Sequence, residues 1–231
     1  MHNSRAVIFA NGFIPDPGPA RRLIRPGDAL IAADGGTRNA RALGLLPTVV
    51  IGDLDSLLPE DRLQLEAAGS RLLEYPREKD ETDLELALRY AVEQGFHTVV
   101  VVGALGGRLD QTLGNLALLT APSLAGLDVC LDDGTEEARF ARGAREESSR
   151  GGGLEVRGEA GDILSLVPWS AEAAGITTKG LRWPLSGETL SSYGSRGLSN
   201  EMLGARASIT LESGLLLVIH RRNPRPAIPD R

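Results

Sequence analysis

The sequence has a single cysteine, Cys130, so no disulfide can form within the chain. Its apolar neighbours, Val129 and Leu131, favour a buried strand thiol over a nucleophile. Long hydrophobic runs are also lacking, because runs such as 98–105 and 215–219 are far shorter than the roughly 20 residues that cross a bilayer. The N-terminal stretch MHNSRAVIFANG has no long apolar region and no small-residue cleavage site. We therefore expect a cytoplasmic protein with no membrane partner.

The chain also lacks the excess of positive charge that is typical of nucleic-acid-binding proteins. It has 25 lysines and arginines against 31 aspartates and glutamates, a formal net charge of −6, so we expect no nucleic-acid partner. Histidine is scarce too, and the three residues present, His2, His97 and His220, are dispersed, so none is predicted to bind a metal. With 231 residues, the chain is long enough for one large domain or two small ones.

The first part of the chain alternates short apolar runs with helical patterns. Continuous apolar runs without polar alternation are typical of strands that are buried on both faces of a parallel sheet. The predicted strands cover residues 6–10, 29–33, 49–51, 98–102 and 129–131, and the predicted helices cover 37–43, 59–68, 84–92 and 113–119. This alternation predicts an α/β fold, with a doubly wound, mainly parallel sheet over residues 1–138.

The composition of the sequence changes near residue 139. The stretch ARFARGAREESSRGGG is charged and rich in glycine, which predicts an exposed loop over residues 139–153. Short apolar runs with turn signals follow and predict a small all-β sandwich over 154–222, with Ser213-Gly214 as the turn of a hairpin. The last segment, 223–231, contains three prolines and is predicted to be a flexible tail.

Acidic residues follow the predicted strands of the α/β part. In IGDLDS, residues 51–56, Asp53 and Asp55 are two positions apart. On an extended chain their side chains point to the same side, with the Cα atoms roughly 6–7 Å apart, and the two carboxylates could hold Mg²⁺ between them. The alternative is a strand-end turn in which both aspartates accept backbone N–H groups. Because ligands bind at the carboxyl ends of parallel strands, we expect four strand ends to share one edge. They are Asn11-Gly12, Asp34-Gly35-Gly36, residues 52–55 and the glycine-rich stretch 106–110.

Two further segments carry charged residues at predicted helix starts. In KDETDLELAL, residues 79–88, Thr82 and Glu85 fit a capping box, which leaves Lys79, Asp80 and Asp83 for a phosphate and metal site or for an ordinary solvated helix start.

In GALGGRLDQTLGN, residues 103–115, glycines allow a close approach to a ligand and Arg108 offers donors to phosphate. A tight strand-to-helix turn is the alternative. Neither the GK[ST] of a P-loop nor a G-x-G-x-x-G fingerprint at the first strand is present, which disfavours P-loop and dinucleotide-binding chemistry.

Six segments in order, ADGG, GDLDS, KDETDLELAL, GGRLDQTLGN, GLRWPL and LSNEM, resemble the thiamine pyrophosphokinase (thiamine diphosphokinase) family. The resemblance implies an N-terminal α/β domain, a C-terminal β-sandwich that contributes to the thiamine site, and a homodimer with active sites between subunits. It implies transfer of a diphosphoryl group from ATP to the hydroxyethyl group of thiamine, which yields thiamine diphosphate and AMP and needs Mg²⁺. Other possibilities are a diphosphotransferase that acts on another heterocyclic alcohol, such as a pterin, and a non-catalytic nucleotide-binding regulatory module.

The resemblance also implies roles for individual residues. Metal binding and catalysis are expected of Asp53, Asp55, Asp80 and Asp83, with Arg108 as a further catalytic residue. Substrate binding is expected of Asp34, Gly35, Lys79, Gly106, Gly107, Asp110, Gln111, Trp183, Ser199 and Asn200. Many bacterial members similar to this chain have histidine where Gln111 stands, which argues against a general-base histidine there. Trp183 either stacks on thiamine, a cation with aromatic rings, or packs in the sandwich core.

Overall fold

A computed structural model describes residues 5–144 and 153–223. The chain divides into two compact units, Met1–Gly134 and Thr135–Arg231. The predicted boundary at residue 138 and the predicted loop start at 139 are wrong, because Glu136–Arg142 forms a strand of the second unit. Ala138 and Ala141 are buried in this strand, which supplies the packing that the charged composition concealed. Residues 145–152 of the predicted loop, and the predicted tail apart from Asn223, lie outside the described residues.

The first unit alternates strands and helices along a six-stranded sheet. Its elements are β1 (Arg5–Phe9), α1 (Pro17–Arg22), β2 (Ala29–Ala33), α2 (Gly36–Ala42), β3 (Val49–Gly52), α3 (Pro59–Ala67), β4 (Arg71–Glu74), α4 (Asp83–Glu93), β5 (Thr98–Val102), α5 (Leu109–Leu118), a 3₁₀ turn (Pro122–Leu124) and β6 (Asp128–Asp132). The strand order is β6-β5-β1-β2-β3-β4, and every pair is parallel. The predicted parallel α/β architecture is confirmed.

Strand order locates the point where a ligand is expected to bind. From β1 the chain winds outward through β2, β3 and β4, and then returns to place β5 on the other side of β1. Because crossovers are right-handed, winding in both directions covers both faces of the sheet with helices. The reversal between β1 and β5 opens a crevice at the carboxyl ends of the strands.

Two elements of this unit have weak sequence signals. α1 is six residues long and begins with Pro17, and its start is capped by Asp16, whose side chain accepts the Gly18 N–H at 2.8 Å. Its proline and glycine content is typical of a loop, so the local sequence does not indicate a helix here. β4 is an edge strand whose end residues, Arg71 and Glu74, are exposed, so it has no continuous apolar run.

The second unit consists of two antiparallel sheets. Its strands are β7 (Glu136–Arg142), β8 (Gly153–Arg157), β9 (Ile163–Pro168), β10 (Glu172–Lys179), β11 (Glu188–Ser191), β12 (Asn200–Glu201), β13 (Arg206–Thr210) and β14 (Leu215–Arg221). In one sheet the order is β12-β9-β14-β7, and in the other it is β11-β10-β13-β8. Side chains from both sheets, including Leu166, Ile176, Ile209 and Leu216, form one buried core, as expected of a sandwich.

The predicted hairpin at Ser213-Gly214 is wrong. β13 pairs with β8 and β10, whereas β14 pairs with β7 and β9, so the segment between them crosses from one sheet to the other. Ile209 and Leu216 both face the shared core, which requires the crossing. In the other sheet, β10 covers Glu172–Lys179 and ends before Gly180, where φ is 77°. Within the described residues, no helix has the length and apolar character needed to cross a membrane.

Candidate active site

A crevice of about 380 Å³ lies at the carboxyl ends of β1, β2 and β5. Its walls come from residues that follow these strands and from the start of α4. The lining includes Asn11, Asp34, Gly35, Asp83, Gly106, Gly107, Arg108 and Gln111. Seven of these eight, all except Asn11, belong to the predicted site residues. The position matches the crevice that the strand reversal produces.

Three carboxylates meet at the end of β2 and β3. One ligand oxygen each from Asp34, Asp53 and Asp55 lies within 4.8 Å of the others. Asp34 Oδ1 is buried and has no hydrogen-bond partner, and Arg77 Nη1 reaches Asp55 Oδ2 only at 3.6 Å from an exposed position. A buried carboxylate oxygen without a partner is costly, and an oxygen-only set of acids is the type of ligand that Mg²⁺ prefers. The three residues therefore fit a divalent cation.

A left-handed turn, not an extended strand, brings Asp53 and Asp55 together. Leu54 has a φ of 59°, and its side chain is buried in the core beside the sheet. The Asp55 N–H donates to Asp53 Oδ1 at 3.2 Å. The expectation of an extended i, i+2 arrangement is therefore wrong, because β3 ends at Gly52. The backbone therefore forms the strand-end turn that was the alternative prediction. The side chains of Asp53 and Asp55 cluster with that of Asp34.

Asp83 lies beside this cluster at the first position of α4. A Cβ built on Gly52 would lie 2.7 Å from Asp34 Cβ and 3.1 Å from Asp83 Cγ, so both acids border the same glycine. Lys79 Nζ lies 3.0 Å from Asp83 Oδ1 and also donates to the Pro76 carbonyl at 3.2 Å. Lys79 thus balances the acid that is not part of the three-carboxylate group.

The remaining predicted metal ligand is placed differently. Asp80 is exposed and is not part of the three-carboxylate group, whereas Asp34, predicted to bind substrate, belongs to it. The predicted cap at Thr82 is present, because the Glu85 N–H donates to Thr82 Oγ1 at 3.2 Å. Thr82 therefore fixes the start of α4 and with it the position of Asp83.

The glycine-rich loop after β5 has consecutive left-handed residues. Gly106 and Gly107 have φ values of 76° and 82°, which other residues rarely adopt, and a Cβ on either would meet nothing closer than 4.0 Å. Glycine is therefore required at these two positions by the positive φ and not by a lack of space for a side chain.

At the start of α5, Arg108 makes two hydrogen bonds to Asp110, Nε to Oδ1 at 3.1 Å and Nη2 to Oδ2 at 2.6 Å. The Arg108 side chain holds the pKa of Asp110 below its ordinary value, with a further contribution from the Gln111 N–H, and Asp110 raises the pKa of Arg108. Both side chains are exposed, so the guanidinium can reorient toward an anion.

Two asparagine side chains support the crevice, and the sequence pattern did not indicate either role. Asn39 of α2 donates from Nδ2 to the carbonyls of Ala10 at 2.6 Å and Gly12 at 2.8 Å. Asn115 of α5 donates from Nδ2 to the Ala104 carbonyl at 3.0 Å and lines the crevice. Asn39 lies 27 residues or more along the chain from the carbonyls that it holds. Asn115 lies 11 residues from Ala104, within the stretch 103–115, but the residue types there do not indicate this hydrogen bond.

Two of the three predicted residues of the second unit border a separate groove of about 270 Å³. Trp183 and Asn200 line it, and the Trp183 side chain is 55% exposed, which contradicts the alternative that it packs in the sandwich core. Asn200 is buried, donates from Nδ2 to the Trp183 carbonyl at 2.7 Å and accepts the Trp183 N–H at 3.1 Å. Ser199 has a φ of 58°, and its N–H donates to Ser165 Oγ at 3.0 Å. Asn200 therefore positions Trp183.

Comparisons with known proteins agree with this division of the chain. Residues 20–131 match the family model for the thiamin pyrophosphokinase catalytic domain, and residues 154–216 match the model for its vitamin B1 binding domain. The chain is 29% identical to thiamine pyrophosphokinase of Bacillus subtilis (strain 168) over 194 residues, which is 82% of this chain and 85% of that protein.

Solved structures give the same result. The crystal structure of thiamine pyrophosphokinase from Bacillus subtilis superposes with a TM-score of 0.81 at 26% identity, covering 95% of this chain and all of that one. That of thiamin pyrophosphokinase from Geobacillus thermodenitrificans gives 0.76 at 27% identity, covering 95% of this chain and 98% of that one. With both of its units matched in order, the chain belongs to the thiamine pyrophosphokinase family.

Proposed function

We propose that this chain transfers a diphosphoryl group from ATP to the hydroxyethyl group of thiamine and releases thiamine diphosphate and AMP. The observation that supports it best is the group of Asp34, Asp53 and Asp55 at the carboxyl edge of the sheet, beside a crevice lined by glycines and Arg108. Phosphoryl transfer depends mainly on positioning and on neutralising the charge of the phosphates. The described residues of the crevice supply both.

We propose that Mg²⁺ is held by Asp34, Asp53 and Asp55, with Asp83 adjacent to them. When bound, the ion neutralises phosphate charge and orients the diphosphoryl group. Asp80, by its exposure, is a weaker candidate than the sequence suggested.

The other residues of the crevice have separate tasks. Arg108 is exposed at the mouth, and on reorientation from Asp110 its guanidinium can bind phosphate oxygens in a bidentate manner. The positive φ values of Gly106 and Gly107 turn the loop while leaving the space above it open to phosphate. Asp83, whose charge Lys79 balances, is the candidate to accept a hydrogen bond from the attacking hydroxyl.

The acceptor requires a second set of contacts, which we assign to the second unit. Trp183 offers an exposed ring held in place by Asn200, and an aromatic face is suited to a cationic heterocycle. We also retain the proposals of a homodimer and of a cytoplasmic location, which rest on the family resemblance and on the sequence respectively. Analytical ultracentrifugation of the purified chain tests the dimer.

The experiment is a product assay with ATP, MgCl₂ and thiamine, with AMP and thiamine diphosphate quantified by chromatography. We expect equal amounts of the two products, and no thiamine-dependent AMP would contradict the proposal. A hydroxymethyl pterin replaces thiamine in a parallel assay, and diphosphorylation of the pterin alone would favour the other acceptor class.

A matched pair of variants tests the metal site. Asp55→Asn removes one charge from the three-carboxylate group, and we expect turnover at limiting Mg²⁺ to fall by about 100-fold, since a weaker site would lose much of the several kcal/mol of charge stabilisation that a bound metal ion supplies. Glu93→Gln removes an exposed carboxylate from the end of α4 and should leave turnover unchanged. Wild-type turnover of Asp55→Asn at limiting Mg²⁺ would exclude the metal role of Asp55.

A further inference from the structure

Phe13 is an aromatic residue in an unusual position. Its side chain is 63% exposed, although phenylalanine is most often buried, and the chain contains only four phenylalanines. Phe13 follows β1 on the loop that borders the crevice. Of the described residues that line this crevice, it is the sole aromatic one. The exposure therefore places an apolar ring at a site otherwise lined mainly by glycine, alanine, asparagine and aspartate.

The loop that carries Phe13 is held rigidly at its base. The Gly12 N–H donates to the Gly103 carbonyl at 2.7 Å, and the Ala10 N–H donates to the Val102 carbonyl at 2.8 Å. From the other side, Asn39 Nδ2 donates to the carbonyls of Ala10 and Gly12. Because its backbone is fixed by four hydrogen bonds just before Phe13, little further entropy is lost when a ligand contacts the ring.

The residues facing the Phe13 backbone have no side chains. The position of a Cβ on Gly106 is 4.0 Å from the Phe13 carbonyl oxygen, and that on Gly107 is 4.0 Å from the Phe13 nitrogen. Two consecutive glycines thus leave the space next to the Phe13 backbone free of side chains. The exposed ring of Phe13, which lines the crevice, can offer an apolar face to a flat, aromatic group.

We infer that Phe13 contacts the purine base of ATP and contributes to the preference for a nucleotide over an inorganic polyphosphate. This inference rests on the proposed function, because it assigns the base of the co-substrate whose phosphates the same crevice would hold. A base can stack on an aromatic side chain through its flat face, without hydrogen bonds to the ring, so a phenyl ring suffices. The carboxylates Asp34 and Asp83 line the crevice together with Phe13, so one ligand can contact both.

The test compares ligands with and without a base. Binding of an unreactive ATP analogue and of inorganic triphosphate, both with Mg²⁺, is measured by calorimetry for the wild type and Phe13→Ala. We expect Phe13→Ala to weaken binding of the analogue by about tenfold and to leave the affinity for triphosphate unchanged. Phe13→Tyr keeps the ring and should bind the analogue within about twofold of the wild type, since only ring area matters here.

Kinetics give a second readout. In Phe13→Ala we expect a higher KM for ATP, with the KM for thiamine unchanged. A rise in the KM for thiamine alone would assign the ring to the acceptor and overturn the inference, as would equal weakening of the analogue and of triphosphate. Leu63→Ala, which also removes an exposed apolar side chain from the first unit, is the control and should change none of these values.

The two proposals fail in different ways. Suppose that the wild type forms no thiamine diphosphate, and that Phe13→Ala binds the ATP analogue more weakly than the wild type does. The acceptor assignment is then wrong and the base contact stands. If the wild type forms thiamine diphosphate and Phe13→Ala binds the analogue normally, the base contact is wrong and the function stands. Circular dichroism confirms that each variant is folded.

Discussion

At the scale of single residues, the site contains backbone conformations that the residue types do not predict. Among the described residues, non-glycine positions with positive φ are Asp34, Leu54 and Ser199. Each such conformation costs roughly 1–3 kcal/mol and persists only where its surroundings hold it. Leu54 is held by burial of its side chain in the core. The sequence could therefore predict that Asp53 and Asp55 belong to a site, but not the turn that joins them.

Gly52 separates Asp34 from Asp83, and its replacement is a test of how closely the acids must be placed. In Gly52→Ala the new Cβ would lie 2.7 Å from Asp34 Cβ, so the carboxylate must move. Because displacement of about 1 Å can cost roughly 100-fold in rate, we expect kcat/KM to fall by about that factor. Steady-state kinetics over a range of Mg²⁺ concentrations measure the change.

Gly69→Ala is the matched control. Gly52 has a φ of 153° and Gly69 a φ of 79°, so both have a positive φ, but no atom lies within 4 Å of the position that a Cβ on Gly69 would take. The substitution should lower stability by about 1 kcal/mol through backbone strain and leave kcat/KM unchanged. Similar kinetic losses in both variants would show that strain alone, and not displacement of Asp34, explains the effect.

At the scale of elements, the polar strand ends predicted the position of the site, because parallel strands present their carboxyl ends at one edge. The strands and helices with long, regular apolar patterns were also predicted, because the spacing of apolar residues differs between strands and helices. Elements with weak local patterns were missed: α1 contains two prolines and a glycine in six residues, and β4 depends on pairing with β3. The hairpin prediction failed because a two-residue turn signal does not reveal which sheet each strand joins.

Asn39 links α2 to the loop after β1, and its removal tests whether an element can tune the crevice. Asn39→Ala leaves the Ala10 and Gly12 carbonyls without their side-chain donor, which costs stability by roughly 1–3 kcal/mol. We expect a rise in the KM for ATP of about tenfold with the KM for thiamine unchanged, because the loop that it holds borders the crevice of the first unit and does not line the groove at Trp183.

Two further variants separate positioning from general destabilisation. Asn39→Asp removes the amide donor while keeping the shape and should reproduce the rise in the KM for ATP. Arg38→Ala, from an exposed position on the same helix, should not. Equal rises in the KM for both substrates in Asn39→Ala would indicate a global loss of structure.

At the scale of the whole molecule, the order of the two units was predictable and their boundary was not. The change from alternating strands and helices to short β runs is visible in the sequence. The boundary lies after Gly134 because β7 pairs with β14 along its full length, a contact across about 80 residues that no local pattern contains. The stability of the second unit depends on a further long-range contact, centred on His220.

His220 is buried between two acids. Its Nε2 lies 2.8 Å from Asp162 Oδ2, and its Nδ1 lies 4.0 Å from Glu137 Oε2. Burial opposes protonation, but attraction to Glu137 and the hydrogen bond with Asp162 outweigh it and raise the pKa of His220 above 6.5. Burial likewise opposes ionisation of Glu137, yet His220, Arg139 and Arg222 lower the pKa of Glu137 to about 2. Burial also raises the pKa of Asp162, but the hydrogen bonds that its carboxylate accepts outweigh burial and lower this pKa overall.

These shifts predict a stability maximum in weakly acidic solution. A raised histidine pKa contributes stability that is complete below 6.5 and is lost as the pH rises through the folded value. A lowered carboxyl pKa contributes stability that is complete above 4.5 and is lost as the pH falls toward 2. We therefore expect the second unit to be most stable between about pH 4.5 and 6.5.

Urea unfolding followed by tryptophan fluorescence measures this dependence for the second unit alone, since both tryptophans, Trp169 and Trp183, lie within it. His220→Gln cannot carry the proton, so the decline in stability above pH 6.5 should disappear. The variant should also be less stable by roughly 3 kcal/mol below that pH, because Asp162 and Glu137 lose the cation between them. His97→Gln, at an exposed position of the first unit, should keep the wild-type profile. An unchanged decline above pH 6.5 in His220→Gln would show that another group controls the stability of the sandwich in neutral solution.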